Sequence, residues 1–493
     1  MTRSRLPPAW LVAVLLLMAF AFQGTRGIWE PDEGRYTSAG LNMYESGDWL
    51  VPTIDGEHPH LTKPPVTYWA LASSFALLGR NEWAARLPGA LAFFGTGLLV
   101  FGLGRRFTPS KPWLPSLIYG LSLAPILGAH VISTDVLLTF FEALAMYAFV
   151  RAYATPGTLE RRWVRFMWLA WGLAFMTKGP PGLLPLFAMV AMLAFHDRPA
   201  LRRLFDPLGL AAFAAVAFTW FAILIAQDPS RFGYFVGYEV YDRIFTAKHD
   251  RNDYWYAPFT IFGPMFLVGA LPWWVLSLVA AGGPRAAWRS LRERQRAGDR
   301  DWRMLSWWFL LPLAVFSLAQ SRLQLYVLPL FVPLALLLAR PLSGWTWLTP
   351  KRLAIVAGLT GGALLAIKGY AGYVHSDRDS RSMARAIAGI LDTRSIDGIV
   401  FVGMRPFYGL NVYLDTKVEG VQVGEHRYDY SKFVAEENLC SELAGRERNV
   451  YALKQGKADR FVESVRRCDG LTPAEIGRFE ADGNEIVVFE VRK

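Results

Sequence analysis

The sequence predicts a polytopic α-helical membrane protein of about eleven transmembrane helices followed by a soluble α/β domain. Three observations predict this class. Apolar runs of about 15–24 residues alternate with short arginine-rich segments over roughly the first 370 positions. Hydrophobic residues make up 53% and charged residues only 19% of the 493 residues, where soluble domains carry roughly 25% charge. From about residue 374 the pattern changes: helical stretches such as SRSMARAIAGIL alternate with the short β-rich runs GIVFVGM, NVYALK and EIVVFEV. Disorder, a nucleic-acid-binding globule and a secreted disulfide scaffold are excluded by this patterning, despite a net charge of +11.

The first run, Ala9–Phe22, follows a basic tip (Arg3, Arg5). A secretory signal has this form, but no clear small-x-small cleavage site follows, so it reads as an uncleaved span. Further spans are expected at 84–104, 112–130, 134–150, 166–177, 181–195, 207–226, 258–281, 304–319, 325–339 and 353–371. The stretch 65–78 is too short to cross a core of about 30 Å and reads as a helix lying at the interface. With the N-terminus inside, the cytoplasmic segments hold 22 Lys and Arg, and the opposite segments through residue 322, counted with Arg86 at the start of its span, hold 11. That bias sets the N-terminus in the cytoplasm and, after eleven spans, the C-terminal domain outside. The expected domains are therefore 1–373, with long external loops 25–83 and 227–257, and a periplasmic α/β domain 374–493. Cys440 and Cys468 both fall in that domain, where either a disulfide or two thiols fits.

Both external loops mix acids, bases and aromatics, the composition of a binding surface rather than a connector. Asp135, Lys178 and Arg322 sit at predicted membrane boundaries, where ionisable groups are costly and mark function unless they snorkel to the interface. On the external side of this topology, carboxylates (Asp32, Asp135) share the surface with cations (Lys63, Lys178, Arg243, Arg322). Such cations suit a lipid phosphate, bound as a point charge by Lys or bidentately by Arg. A carboxylate beside it suits either a general base on an acceptor hydroxyl or stabilisation of oxocarbenium charge at a sugar carbon. Trp29, Tyr36, Trp49, Tyr68, Trp69, Tyr238, Tyr241, Trp255 and Tyr256 suit sugar stacking or, for most of them, an interfacial belt.

The strings EPDEGRYTSAGLNMYESGDWLVP, LTKPPVTYW, NEWAARLPGAL, STD (133–135), TKGP (177–180), YEVYDR (238–243) and SRLQLYVLP (321–329) resemble the C-type membrane glycosyltransferases of the protein O-mannosyltransferase superfamily. The nearest group is the bacterial 4-amino-4-deoxy-L-arabinose lipid A transferases. The resemblance covers residues 10 to about 340. It implies a helical bundle with a long first external loop and an external soluble domain. It also implies inverting transfer of a sugar from a polyprenyl phosphate to an external acceptor in a bacterial inner membrane. By motif it implies that Asp32 is catalytic or orients the acceptor, accompanied by Glu33, and that Asp135 positions the first loop. Lys63, Lys178, Arg243 and Arg322 are implied ligands of the donor phosphate, and Arg35, Tyr36, Tyr68, Glu239 and Tyr326 are implied lining of the substrate cavity.

The sequence departs from those relatives at two places. Where they carry metal ligands, an acid before the Lys-Pro and a His after the Glu, this chain has Thr62 and Val240. His58, His60 and His249 are the nearest substitutes and leave a divalent metal open, but a lone exposed His is usually not a ligand and no cofactor is firmly implied. The expected partners are a polyprenyl-phosphate sugar, a lipid or protein acceptor and the membrane, with no nucleic acid. Two other readings fit part of the pattern. A flippase would share the spans but place its charges near the bilayer midplane, often with internal repeats. A sensor or assembly protein would have no need of paired acids beside Lys-Pro-Pro.

Overall fold

The structure, a computed structural model, describes residues 6–242, 252–392, 394–421, 439–444, 447–468 and 471–492. The chain divides into two compact units. One comprises Met1–Ala21, Thr62–Val66 and Pro88–Lys368, and the other Phe22–Leu61, Thr67–Leu87 and Gly369–Lys493.

The first unit is helical. Every one of the eleven apolar runs forms helix, some as one rod and some broken. Among the described residues four helices are by themselves long and apolar enough to cross a membrane: Glu82–Phe107, Pro207–Gln227, Gln324–Gly344 and Pro350–Ala371. Pro258–Gly269 and Trp273–Ala280 form a pair bent by 76°, which counts as a fifth if taken as one span. Pro272 lies at that break, and proline, with no N–H and a ring that clashes with the preceding turn, interrupts the helical ladder there. The run 112–130 is likewise two helices, Leu114–Gly120 and Leu123–His130. Other runs are shorter, such as Ala9–Phe20, or carry charges, such as Thr134–Ala152 with Asp135, Glu142 and Arg151.

Thr134–Ala152 packs along Arg161–Lys178, and that helix packs along Pro207–Gln227. Leu318, Phe259 and Leu359 are among many large apolar side chains left facing outward, as expected of helices solvated by hydrocarbon. The cation Lys368 is buried in the Pro350–Ala371 helix and donates to the Met18 carbonyl at 2.8 Å. That carbonyl lies in the last turn of Ala9–Phe20, where the helix dipole favours a cation.

In the second unit, five strands among the described residues form a mixed sheet in the order β2-β1-β3-β5-β4. They are β1 (Gly398–Val402), β2 (Lys417–Val421), β3 (Asn449–Lys454), β4 (Thr472–Ala481) and β5 (Asn484–Arg492). β1 runs parallel to β2 and β3, and β5 runs antiparallel to β3 and β4. Strand β1, GIVFV, is buried throughout because both faces are covered. Ile399 and Phe401 pack with Met383 and Ile387 of the helix Ser380–Leu391, while Val400 and Val402 pack with Phe461 and Val465 of Ala458–Arg466. Asp482 and Gly483 join β4 to β5 with positive φ at both, 48° and 68°, the geometry of a two-residue hairpin turn matched to strand twist.

Cys440 and Cys468 form a disulfide with Cα atoms 5.6 Å apart, so the pairing left open by the sequence is made. Closing a loop with a sequence separation of 28 stabilises by about 3.6 kcal/mol in the chain-entropy account. Thiol alkylation of the unreduced, denatured protein should add no label and reduction should expose two sites. Cys468→Ser should lower the unfolding temperature of the second unit measured on the full chain.

Candidate functional site

The residues singled out by the sequence fall into clusters within each unit. In the first unit, Asp135 lies in the first turn of Thr134–Ala152, where the hydroxyl of Ser133 caps the helix by accepting from the Asp135 N–H at 3.3 Å. A carboxylate there is favoured by the helix dipole. Lys178 is the last residue of Arg161–Lys178, the end at which the dipole favours a cation. Gly179 then turns the chain with φ of 74°, a conformation that favours glycine, into the short 3-10 turn Pro180–Leu183. This is the physical content of the TKGP motif: it ends a helix on an ammonium. Lys178 Nζ is ion-paired to Asp135 Oδ1, and both side chains are under 10% exposed, at 8% and 9%. The ammonium also lies 4.2 Å from the centre of the Tyr326 ring. Glu142, two turns along from Asp135, is buried on the same helix.

Lys63 donates to the Thr62 carbonyl at 2.7 Å and lies 3.9 Å from Glu239, whose carboxylate also accepts from Tyr234 at 3.2 Å. Arg322 is committed elsewhere. Its guanidinium donates to the carbonyls of Asn252, Tyr254 and Ser317 at 2.9–3.1 Å, and Asn252 donates back to its carbonyl. Arg322 therefore clamps backbone around the second loop. Arg243 lies outside the described residues, as does His249.

In the second unit, the helix Asp32–Ser46 opens with two adjacent acids in different environments. Asp32 is 58% exposed by side chain and ion-paired to Arg35 one turn on. Glu33 is buried. Its carboxylate accepts from Arg26 at 2.6 and 2.8 Å, from the Trp29 N–H at 2.8 Å and from Arg86 at 3.3 Å. Arg86 in turn donates to the carbonyls of Gln23, Arg26 and Gly27. Burial pushes the Glu33 carboxyl up, but the two guanidiniums more than offset it and hold it down at about 2. Glu33, expected beside Asp32 in catalysis, thus has its oxygens engaged in holding the loop. Tyr36 stacks on buried Tyr68 with centroids 6.1 Å apart.

Glu30 was not anticipated from the sequence. It accepts from the Ser380 hydroxyl at 3.0 Å and the Gly409 N–H at 2.5 Å, which ties the loop to the sheet domain. Burial pushes its carboxyl up to about 8 against those two hydrogen bonds. Further ties are Arg381 to Glu82 and Asn411 to Ser38. Glu142 was missed as well, although its seven-residue spacing from Asp135 places both on one helix face.

The positions at which the resemblance expects metal ligands hold Thr62 and Val240, which supply neither carboxylate nor imidazole. His58 is hydrogen-bonded to Asp55 at 2.9 Å, and His60 lies against the Tyr68 ring. Among the described residues no group of three or more His, Cys, Asp or Glu is placed to hold a metal ion. This donor set does not fit a divalent cation.

The two carboxyls give opposite pH dependences. Between about 4.5 and 8 the folded chain keeps the Glu30 proton that the unfolded chain has lost, so stability falls as pH rises through that window. The Glu33 contribution is full above about 4.5 and lost as pH falls towards 2. Thermal unfolding followed against pH should therefore lose its decline from pH 4.5 to 8 in Glu30→Gln. Glu33→Gln should cost about 3–5 kcal/mol near neutral pH by stranding two buried cations.

Residues 62–225 match the family of dolichyl-phosphate-mannose-protein mannosyltransferases. The chain is 33% identical over 346 residues to the undecaprenyl phosphate-alpha-4-amino-4-deoxy-L-arabinose arabinosyl transferase of Aeromonas salmonicida, covering 69% of this chain and 59% of that one. It is 30% identical over 339 residues to a protein of the same name, numbered 2, from Pseudomonas fluorescens, covering 68% and 59%. The matches thus span about three fifths of the length of these relatives. In fold, the chain is similar to ArnT from Cupriavidus metallidurans bound to undecaprenyl phosphate. That comparison gives a TM-score of 0.78 at 19% identity over 98% of this chain and 97% of that one. Motif, sequence and fold agree that the chain resembles the C-type membrane glycosyltransferases of the protein O-mannosyltransferase superfamily, and within it the bacterial aminoarabinose transferases.

Proposed function

We propose that the protein is an inverting glycosyltransferase. It moves a sugar from a polyprenyl-phosphate-linked donor to an acceptor on the external face of a bacterial inner membrane, with lipid A or another envelope glycolipid as that acceptor. The observation that carries this reading is the buried Lys178–Asp135 pair beneath Tyr326, in a chain whose relatives are named for undecaprenyl-phosphate sugar transfer.

The eleven helical runs all cross the bilayer in this reading, with the N-terminus in the cytoplasm and the sheet domain in the periplasm. The arginine asymmetry supports that orientation, and so does the Cys440–Cys468 disulfide, which persists in an oxidising compartment.

Transfer requires the acceptor oxygen to attack the anomeric carbon from the face opposite the phosphate. The carbon–oxygen bond to the lipid phosphate breaks and its electron pair leaves with the phosphate. The barrier is lowered most by cations already in place where that charge develops. Lys178 suits the task because Asp135 and the Tyr326 ring fix the ammonium while its remaining N–H donors stay available for the leaving oxygen. Lys63 lies 3.9 Å from Glu239 and is assigned to the phosphate on its motif. Arg243 is proposed as a third phosphate ligand on its motif alone. Asp32 takes the proton when the acceptor is a hydroxyl. With a phosphate acceptor no proton need move, and Asp32 orients it or stabilises charge on the sugar. Glu33 holds Asp32 in place and takes no part in the chemistry, and Arg322 shapes the second loop.

Protein in nanodiscs, given polyprenyl-phosphate aminoarabinose and lipid A, should yield lipid A heavier by one aminopentosyl group. Lys178→Met should slow transfer by at least about 100-fold, and Lys63→Met by about tenfold. Translocation of the donor with no glycosylated product from any envelope acceptor would overturn the reading.

A further inference from the structure

We propose that the first unit carries a second anion site, a cavity of about 560 Å³ that binds the phosphate of an anionic membrane lipid or a free phosphate ion. The inference does not rest on the transfer reading. The cavity is remote from Lys178 within the same unit. It is lined by Arg151, in the last turn of the helix that Asp135 opens, and by Glu160, the residue just before the helix that Lys178 ends. Sixteen helical residues separate Asp135 from Arg151, a rise of about 24 Å.

Four arginines line it: Arg105, Arg106, Arg151 and Arg300. Two acids line it as well, but both are occupied. Asp301 is ion-paired to Arg106 at 2.9 Å, and Glu160 is ion-paired to Arg162. Arg106 is further spent on the carbonyls of Val150 and Tyr153. Three guanidiniums remain without an ion-pair partner among the described residues. Arg151 lies 5.1 Å from the Trp163 ring and Arg105 is exposed. Arg300 lies over the Tyr153 ring and donates from Nη2 to the Ala154 carbonyl at 3.2 Å, while its Nη1 is buried with no acceptor. A buried donor of this kind calls for an acceptor.

Guanidinium forks match the paired oxygens of a phosphate and hold it by charge-assisted hydrogen bonds. The remaining walls are apolar, with Pro109, Pro112, Tyr147 and Val150, which suits the glycerol and upper acyl region of a lipid beneath its headgroup. A positive-inside bias requires arginines at this end of the bundle, but not three of them converging on one cavity.

The test uses the full-length protein in detergent in a Lys178→Met/Lys63→Met background, which weakens the proposed donor site, and binding that survives the cavity substitutions is assigned to that site. One arm titrates phosphatidylglycerol against phosphatidylcholine by native mass spectrometry. The other titrates inorganic phosphate by calorimetry. At least one anion should bind in preference to phosphatidylcholine, and binding should weaken by at least about tenfold in Arg105→Gln/Arg151→Gln and again in Arg300→Gln. Phosphatidylglycerol alone binding identifies a lipid site, and phosphate binding as well identifies a site for the bare anion. An unchanged unfolding temperature confirms that each variant is folded. No anion preference in the parent, or equal binding in the folded variants, overturns the proposal.

Discussion

The structure turns on the burial of one carboxylate. Glu33 sits out of water between Arg26 and Arg86, and a charge in that position is tolerable only because two guanidiniums and a backbone N–H meet it. Arg86 carries the constraint further by gathering three loop carbonyls from Gln23, Arg26 and Gly27. The chain before Asp32 is thus fixed from both sides. Asp32, one residue earlier on the helix, stays half exposed with a single partner on its own helix. Two neighbouring acids of similar intrinsic acidity are separated by environment into one that holds the loop and one that stays exposed, the one to which the proposed mechanism gives the chemistry.

The same economy recurs in the first unit, where cations are fixed by acids rather than left to wander. Lys178 is set by a helix end, by Asp135 and by an aromatic face, and Lys63 stands near Glu239. In the proposed transfer, an ammonium oriented in advance would need little reorganisation as charge builds on a leaving phosphate, which is where preorganised electrostatics gains over water. Arg322 marks the other use of a cation, joining the carbonyls of Asn252 and Tyr254 in the second loop to that of Ser317 at a helix end.

Much of this was legible in the sequence, and the failures have physical causes. All eleven apolar runs are helical because a run of that composition has little alternative in a bundle. Hydropathy does not report continuity, so the breaks at Pro272 and between Gly120 and Leu123 were not foreseen. In the sheet, the three foreseen runs became β1, β3 and β5, the central strands. The two that escaped, β2 and β4, are its edges, where one side of the strand is unpaired and the half-exposed sequences KVEGV and TPAEIGRFEA carry no apolar run. Motifs located Asp32, Glu33, Asp135 and Lys178. They could not separate the exposed acid from the buried one, because Arg26, Arg86, Ser380 and Gly409 meet Glu33 and Glu30 only after folding.

The division of labour between Asp32 and Glu33 is the central claim, and paired kinetics and melting on two isosteric variants test it most directly. Asp32→Asn should keep the parent unfolding temperature and lose at least about 100-fold in turnover of a hydroxyl acceptor. Glu33→Gln should melt well below the parent and yet retain, in its folded fraction, turnover within a few-fold. A stable Glu33→Gln protein that is inactive, or an Asp32→Asn protein that turns over normally, would contradict the account.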